Sequence, residues 1–294
     1  MASLVTTRIL ILRDIKVLHI EPTDVCQAAC PSCARETDPK FCKDQKHHLT
    51  IEHIQQHFND NRIKSLDKVF MCGNYGDPAA GAHTSDIYKW FRQINPTITL
   101  GMNTNGAIQN TFWWNKIGHL FNQPRDYVVF SIDGLEDTNA VYRKGVAWPK
   151  LMQNAQAFIE AGGSAHWDML IYQHNEHQVD ECEQLARNMG FKWFRAKVSK
   201  RPLTDRLEWP RNYQAQTFDG AIQCHAQQEK SAYIDAQGNL SPCCWIGATQ
   251  IDFVRTDSVA DFVTKKHATC VKTCSTDQSA TVFLNQWRKE IELC

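Results

Sequence analysis

The chain has 294 residues, 43% of them apolar, enough for one large α/β domain or one domain with a small appendage. Lys plus Arg equals Asp plus Glu at 32 each, so no overall field favours nucleic acid or acidic membranes. No segment reaches the roughly 20 apolar residues of a membrane span, and twelve cysteines without a signal-peptide pattern point to a reducing cytoplasm and metal rather than disulfides.

The apolar run Ile9–Leu12, flanked by Arg8 and Arg13, reads as a short first strand. From residue 15 to 200 one grammar then repeats: a β-rich run, polar or glycine punctuation, and an amphipathic helix. The strand candidates are VLHIEP, KVFMCGN, ITLGMNTNG, YVVFSIDG, HWDMLIYQ and KWFRAKVS, spaced mostly by about 30 residues, the size of a βαβ unit. Apolar residues at helical spacing predict helices over 50–64 and 148–161. Such units imply a parallel sheet, either doubly wound or a partial barrel. Just past the strand ends stand Cys26 onward, Asn74–Asp77, Asn103–Asn105, Ser131 with Asp133, and Asn175. In parallel α/β folds ligands bind at that edge.

Behind the strand VLHIEP, Cys26, Cys30 and Cys33 stand on one short loop, CQAACPSC. Three thiolates can hold three corners of an iron–sulfur cubane and leave the fourth iron open to a small molecule. The alternative is a closed four-ligand site, zinc or cluster, completed by Cys42, His47 or His48. After residue 200 the grammar ends. KRPLTDRLEWPRNYQ is a basic, proline-punctuated connector, AYIDAQGNLSPCCW reads as a hairpin, and six of the twelve cysteines follow residue 220. A domain boundary is expected near 205, giving a core over 1–204 and a cysteine-rich segment over 205–294.

In order along the chain, CQAACPSC, GNYGDP (73–78), NTNG (103–106) and SIDG (131–134) resemble the signature segments of the radical S-adenosylmethionine (radical SAM) enzymes. The likeness covers roughly residues 17–200. Two positions depart from the pattern: Ser32 stands where the family often has an aromatic residue, and Asp77 where Glu is commoner. The resemblance implies an α/β fold, a partial (β/α)6 TIM-like barrel. It also implies a 4Fe–4S cluster on Cys26, Cys30 and Cys33, with SAM bound at the open iron. By the same match Gly76 and Asp77 would hold the methionine amino group, and Asn103, Asn105, Ser131 and Asp133 would approach the cofactor. The implied reaction is reductive cleavage of SAM to a 5′-deoxyadenosyl radical that takes a hydrogen atom from substrate, with a flavodoxin or ferredoxin-type protein as reductant. A barrel interior of Val, Ile, Phe and Met is expected to exclude water and oxygen.

Cys224, thirteen residues, Gly238, four residues and Cys243 resemble the opening of the SPASM and twitch extensions of this family, which carry auxiliary clusters. A hairpin ending in Cys243, with Cys270 and Cys274 supplied from a loop, makes one four-thiolate set of the one-cluster twitch kind; Cys244 or Cys294 are possible substitutes, and zinc is the alternative metal. Relatives with such extensions mostly modify peptides or proteins. The expected function is therefore oxidative modification of a peptide or protein side chain. Dehydrogenation of a small-molecule alcohol is the second expectation, since no leader-peptide-binding domain is expected ahead of the first strand. A nucleoside- or RNA-modifying activity ranks third because the net charge is zero. Arg143, in YRKG, and Tyr172 are weaker candidates for the site, and His174 reads as a surface turn residue. Lys197, Lys200, Arg201, Arg206 and Arg211 read first as a solvated connector, and Cys72 and Cys182 as small core residues.

Overall fold

Six runs rich in β-branched and aromatic residues form adjacent parallel strands in chain order: β1 (Val17–Ile20), β2 (Lys68–Met71), β3 (Thr99–Thr104), β4 (Tyr127–Ser131), β5 (Ala165–Ile171) and β6 (Trp193–Val198). The computed structural model describes residues 15–39, 41–199, 201, 203–204, 207–211, 221–247, 265–275 and 291–293. The expected strand at Ile9–Leu12, and Lys200, Arg206 and Cys294, lie outside the described residues. The strand order never reverses from β1 to β6, which separates this sheet from a doubly wound one. Right-handed crossovers that always step in one direction put their helices on one face. The fold is thus α/β, a partial barrel with a helical outer layer and a concave inner face.

Strand parity decides what each face receives. Leu18, Ile20, Val69, Met71, Leu100, Met102, Val128, Phe130, Trp167 and Met169 are at most 1% exposed. They join one core with Ile54, Phe58, Ile87, Phe91, Trp114, Leu151 and Phe158 from the crossovers. The alternate positions carry His19, Asn103, Ser131, Asp168, Arg195 and Lys197. The expected interior of Val, Ile, Phe and Met is therefore corrected: the large apolar side chains serve the helical face, and the concave face is mainly polar and aromatic. The polar residues on it leave a surface able to hold a polar ligand.

Rings cross this concave face from strand to strand. Tyr233 contacts His19 at 5.0 Å and His19 stacks on Phe70 at 4.4 Å; farther along, Tyr127 stacks on His166 at 5.5 Å and His166 meets Trp193 at 5.9 Å. Gly101 sits between the two groups, and a Cβ there would lie 2.5 Å from the Tyr127 ring.

The long helices match their patterns, including Trp148–Glu160. The helix expected over 50–64 is instead two, Ile51–Gln55 and Asp60–Lys64: the first ends at its C-cap Gln56, and Asn59, in extended backbone, caps the second through Arg62 N at 3.1 Å. Beyond the core, the expected hairpin forms as β7 (Ser231–Ile234) and β8 (Leu240–Ser241), with Gly238 at φ +88° in its loop. β7 lies parallel to β1, so the hairpin extends the same sheet, and β9 (Ile291–Glu292) runs antiparallel to β6 at the other end. Cys270 and Cys274 lie on a helix, Ala268–Cys274, not on the expected loop. His267 caps that helix through Thr269 N at 3.3 Å, and residues four apart then share a face.

Burial of His19 generates a pH dependence. Its Nε2 donates to the Cys72 carbonyl at 2.8 Å, and desolvation lowers its pKa from 6.5 to about 4. Below pH about 6.5 the unfolded chain binds a proton that the folded chain refuses until about 4. Stability is therefore present above this window and falls through it, by up to about 3 kcal/mol from this group. Urea unfolding of the protein and of His19→Gln between pH 7 and pH 4 checks this: the variant is expected to lose less stability on acidification, and parallel curves would refute the assignment.

Candidate functional site

The loops following β1, β2, β3 and β4 meet at the C-terminal edge of the sheet. After β1 the chain passes Glu21 and Thr23 and enters the cysteine loop, where Cys33 N closes a turn on the Cys30 carbonyl at 2.9 Å. Ala29 N donates to the Lys144 carbonyl at 2.8 Å, which ties the loop to the segment after β4. Cys30 is buried, while Cys26 and Cys33 are partly exposed. Cys33 lies close enough to Cys26 and Cys30 to contribute to raising both of their thiols. Burial, with Asp77 next in effect, pushes the Cys26 thiol up to about 12, and burial also raises Cys30 despite the opposing Arg143 guanidinium. Such thiols stay protonated until a cation binds them.

Gly76 and Asp77 lie against this loop. A Cβ on Gly76 would sit 1.9 Å from the Thr23 carbonyl oxygen, so only glycine permits the two backbones to pack. Asp77 N donates to the Val25 carbonyl at 2.9 Å. The Asp77 carboxylate accepts from Ala79 N at 2.9 Å, Thr104 Oγ1 at 2.8 Å, and both the backbone N and Nδ2 of Asn105 at 2.7 Å. Four donors match the four acceptor sites of a carboxylate. Asn105 in turn exchanges amide bonds with Gln27, at 2.8 and 3.2 Å, and its Nδ2 lies 3.7 Å from Cys26 Sγ. In this arrangement Asp77 and Asn105 position the cysteine loop.

Glu21 was not singled out from sequence, although it ends the strand motif VLHIEP. It is 1% exposed and accepts from Tyr75 N at 2.7 Å, Gly76 N at 3.1 Å and the Tyr233 hydroxyl. Cys72, expected in an apolar setting, is half-buried beside this carboxylate at the end of β2; burial, then Glu21, raises its thiol to about 12. Cys182 is fully buried in the core, as expected.

On the β4 side, Asp133 accepts from Arg143 Nε and Leu170 N, both at 2.6 Å, and Arg143 lies beside the Cys30 thiol. Arg143 thus stands beside the cysteine loop, held by Asp133. Asn175 braces this turn by donating to the Asp133 and Leu170 carbonyls, both at 2.9 Å. Asn103 and Ser131 stand on the concave face, and the buried Asn103 Oδ1 has no hydrogen-bond partner among the described residues. Tyr172 is buried and stacks between Tyr142 at 5.0 Å and His174 at 5.6 Å, so His174 lies in a turn, as expected, but is half-buried and stacked rather than on the surface. The connector reading is corrected for Lys197 and Arg201. Lys197 is on β6 and pairs with Asp168 at 3.0 Å, while Arg201 Nη1 donates to the Ser32 carbonyl at 3.4 Å. Arg211 is exposed beside Glu176.

The residues proposed for a closed fourth ligand have other surroundings. Cys42 is exposed, His47 Nδ1 lies 2.6 Å from Asp24 Oδ2, and His48 Nδ1 accepts from Ala82 N at 3.3 Å. Among the described residues no three His, Cys, Asp or Glu side chains converge on one ion position.

A second site forms beyond the hairpin. Cys224, Cys243, Cys270 and Cys274 line one pocket, together with Trp245 and Ile246. Gln223 N donates to the Cys274 carbonyl at 2.8 Å, joining the segment before Cys224 to the end of the helix that carries the other two cysteines. Burial raises the Cys224 and Cys270 thiols and pushes Cys243 up to about 12. Cys244 is also buried but is not among the residues lining the pocket.

No protein-family model and no curated protein matches the chain. Solved structures do. Streptococcus suis SuiB bound to S-adenosylmethionine superposes with a TM-score of 0.59 at 13% identity, over 85% of this chain and 66% of that one. SuiB bound to the precursor peptide SuiA gives 0.58 at 12%, over 84% and 64%. Native anSMEcpe with bound AdoMet gives 0.59 at 12%, over 88% and 89%. The chain spans just under two thirds of SuiB's length and shares the fold of these proteins.

Asp77→Asn would turn an NH2 group towards donors that now share a carboxylate. A destabilisation on the order of 3 kcal/mol is expected from the buried unsatisfied groups. Denaturant unfolding checks it, and a loss below about 0.5 kcal/mol would show that the bracket does not hold the loop.

Proposed function

We propose that this chain is a radical SAM enzyme. The carrying observation is the three-cysteine loop, seated on the C-terminal edge of a singly wound parallel sheet and fixed there by Asp77, Asn105 and Gln27. The fold is shared with proteins whose structures contain S-adenosylmethionine. Cys26, Cys30 and Cys33 would hold a 4Fe–4S cluster with one iron open. When bound, the reduced cluster supplies the electron that splits SAM and so yields the 5′-deoxyadenosyl radical that takes a hydrogen atom from substrate. Arg143 balances charge beside Cys30 and is itself held by Asp133, while Arg201 does the same beside Cys33. Gly76 lets the loop after β2 close against the cysteine loop. The open concave face, with Asn103 and Ser131, is the space for SAM and substrate.

Cys224, Cys243, Cys270 and Cys274 would hold an auxiliary 4Fe–4S cluster in the second pocket, suited to take up an electron in a net oxidation. The substrate proposed first is a peptide or protein side chain. The shared fold with SuiB, whose structure also exists with its precursor peptide SuiA, supports that choice. A flavodoxin or ferredoxin-type protein would supply the electron.

Anaerobic reconstitution with iron and sulfide is expected to give about eight irons per chain, and about four in either Cys30→Ala or Cys224→Ala. With SAM and dithionite the protein is expected to release 5′-deoxyadenosine, and Cys30→Ala to abolish that release. Zinc in place of iron, or 5′-deoxyadenosine indifferent to Cys30→Ala, would sink the proposal.

A further inference from the structure

The Asn105 side chain, buried where the loop after β3 meets the cysteine loop, has its amide orientation fixed from both ends. Its Oδ1 accepts from Gln27 Nε2 at 2.8 Å and from Ala107 N at 3.1 Å. Its Nδ2 donates at 2.7 Å to Asp77 Oδ2, an oxygen that also accepts from Asn105 N at 2.7 Å. Turning the amide over would set its oxygen against that carboxylate and its NH2 group against two donors. The nitrogen end is therefore held towards the first cysteine of the loop, with Cys26 Sγ at 3.7 Å.

An amide nitrogen has two hydrogens, and three acceptors surround this one. Asp77 takes one hydrogen, and the other is shared by Gln27 Oε1 at 3.2 Å and Cys26 Sγ at 3.7 Å. The backbone brings a second donor to the same sulfur, Ala28 N at 3.4 Å. While Cys26 is a thiol the amide oxygen is the better acceptor, and the sulfur contact is the longer of the two. A sulfur that ligates iron carries charge, and a charged acceptor draws the shared hydrogen more strongly. Hydrogen bonds to the ligating sulfurs are among the factors that set the potential of an iron–sulfur cluster, because they stabilise the form that holds the extra electron.

We propose that Asn105, aimed by Asp77, tunes the reduction potential of the cysteine-loop centre by donating its shared Nδ2 hydrogen to Cys26, and that Gln27 tempers this donation by competing for the same hydrogen. The step affected is the uptake of one electron from the reductant; no protein bond breaks and no proton moves. Asn105 acts through Cys26 and is a positioning residue, a role distinct from the SAM contact that the resemblance implies for it. Five hydrogen bonds from its own chain hold the donor in place beforehand, so little side-chain entropy is lost when the sulfur becomes the acceptor. This inference deepens the proposed function and rests on it for the presence of the cluster.

The test is a redox titration of the anaerobically reconstituted full chain, followed by EPR without SAM. The cluster of the cysteine loop is identified as the one whose signal changes when SAM is then added. Asn105→Leu keeps the shape, removes the donor and is expected to lower the midpoint potential. Gln27→Met, at an exposed position, removes the competing acceptor and is expected to raise it. Each shift should alter the ratio of reduced to oxidised cluster at a fixed potential by up to about tenfold, or about 59 mV for one electron. Opposite signs separate the claim from a general loosening of the loop. In the Asn105→Leu background the upward shift of Gln27→Met should vanish, since the donor it depends on is gone. The proposal fails if either single variant changes that ratio by less than about twofold, if both shift the midpoint the same way, or if the upward shift survives in the double variant. Where Asn105→Leu does not take up iron, Gln27→Met decides alone, and an unmoved or lowered midpoint overturns the proposal. Absence of any SAM-responsive signal in the unaltered protein would overturn the proposed function and this inference together, whereas a responsive cluster with unmoved potentials overturns this inference alone.

Discussion

The structure depends on how the parallel strands dispose of their two faces. Each crossover from β1 to β6 steps to the next strand in the same direction, so the crossover helices fall on one side and the strands' large apolar residues are drawn there. The opposite face, free of the crossover helices, carries His19, Asn103, Ser131, Asp168, Arg195 and Lys197. The same winding brings the ends of all six strands to one edge, and the loops that leave them meet there. A loop with three cysteines placed behind any one of these strands would face the polar lumen.

Burial then determines the chemistry that those groups can perform. The thiols of Cys26, Cys30 and Cys243 are raised, not lowered, by their surroundings, so they are unsuited to act as free nucleophiles and suited to be ligands whose protons leave when a cation arrives. The carboxylates follow a related logic. Asp77 and Asp133 each bind groups of their own chain, which offsets the penalty of placing a charge in the interior. Asp77 therefore fixes the turn that packs against the cysteine loop. A short acid suits that role, since the Asn105 and Ala79 donors lie within its reach.

The elements were largely legible because each strand is a compact β-rich run ended by Gly, Asn or Asp, and because two cysteine sets stand out at any scale. The polar lumen was not. Deciding that Met102 faces helices while Asn103 faces the cavity requires knowing which side the crossovers occupy, and no local pattern carries that. The break at Asn59 was hidden because apolar spacing continues across it while the cap does not. Cys270 and Cys274 looked like loop ligands because the run is short, yet the cap at His267 starts a helix. Lys197 was read with the basic connector that follows it, although it belongs to β6. Glu21 was passed over because a lone carboxylate at a strand end has no motif; its partners come from β2's loop and from Tyr233, more than 200 residues away.

That carboxylate also ties the two cysteine regions together. Glu21 accepts from the Tyr233 hydroxyl of the hairpin and from Tyr75 and Gly76 of the loop that packs against Cys33. Asn74, in that same loop, has its carbonyl 3.7 Å from Cys33 Sγ, and its amide donates at 3.0 Å to the carbonyl of Cys244, the residue after Cys243. The C-terminal hairpin is thereby bonded to the loop beside the first cysteine set as well as to the edge of β1. With β7 in register along β1, the pocket of Cys224 and Cys243 cannot move independently of the cysteine loop without breaking both a sheet ladder and a buried carboxylate. Two cysteine sets joined this way are held at a fixed separation.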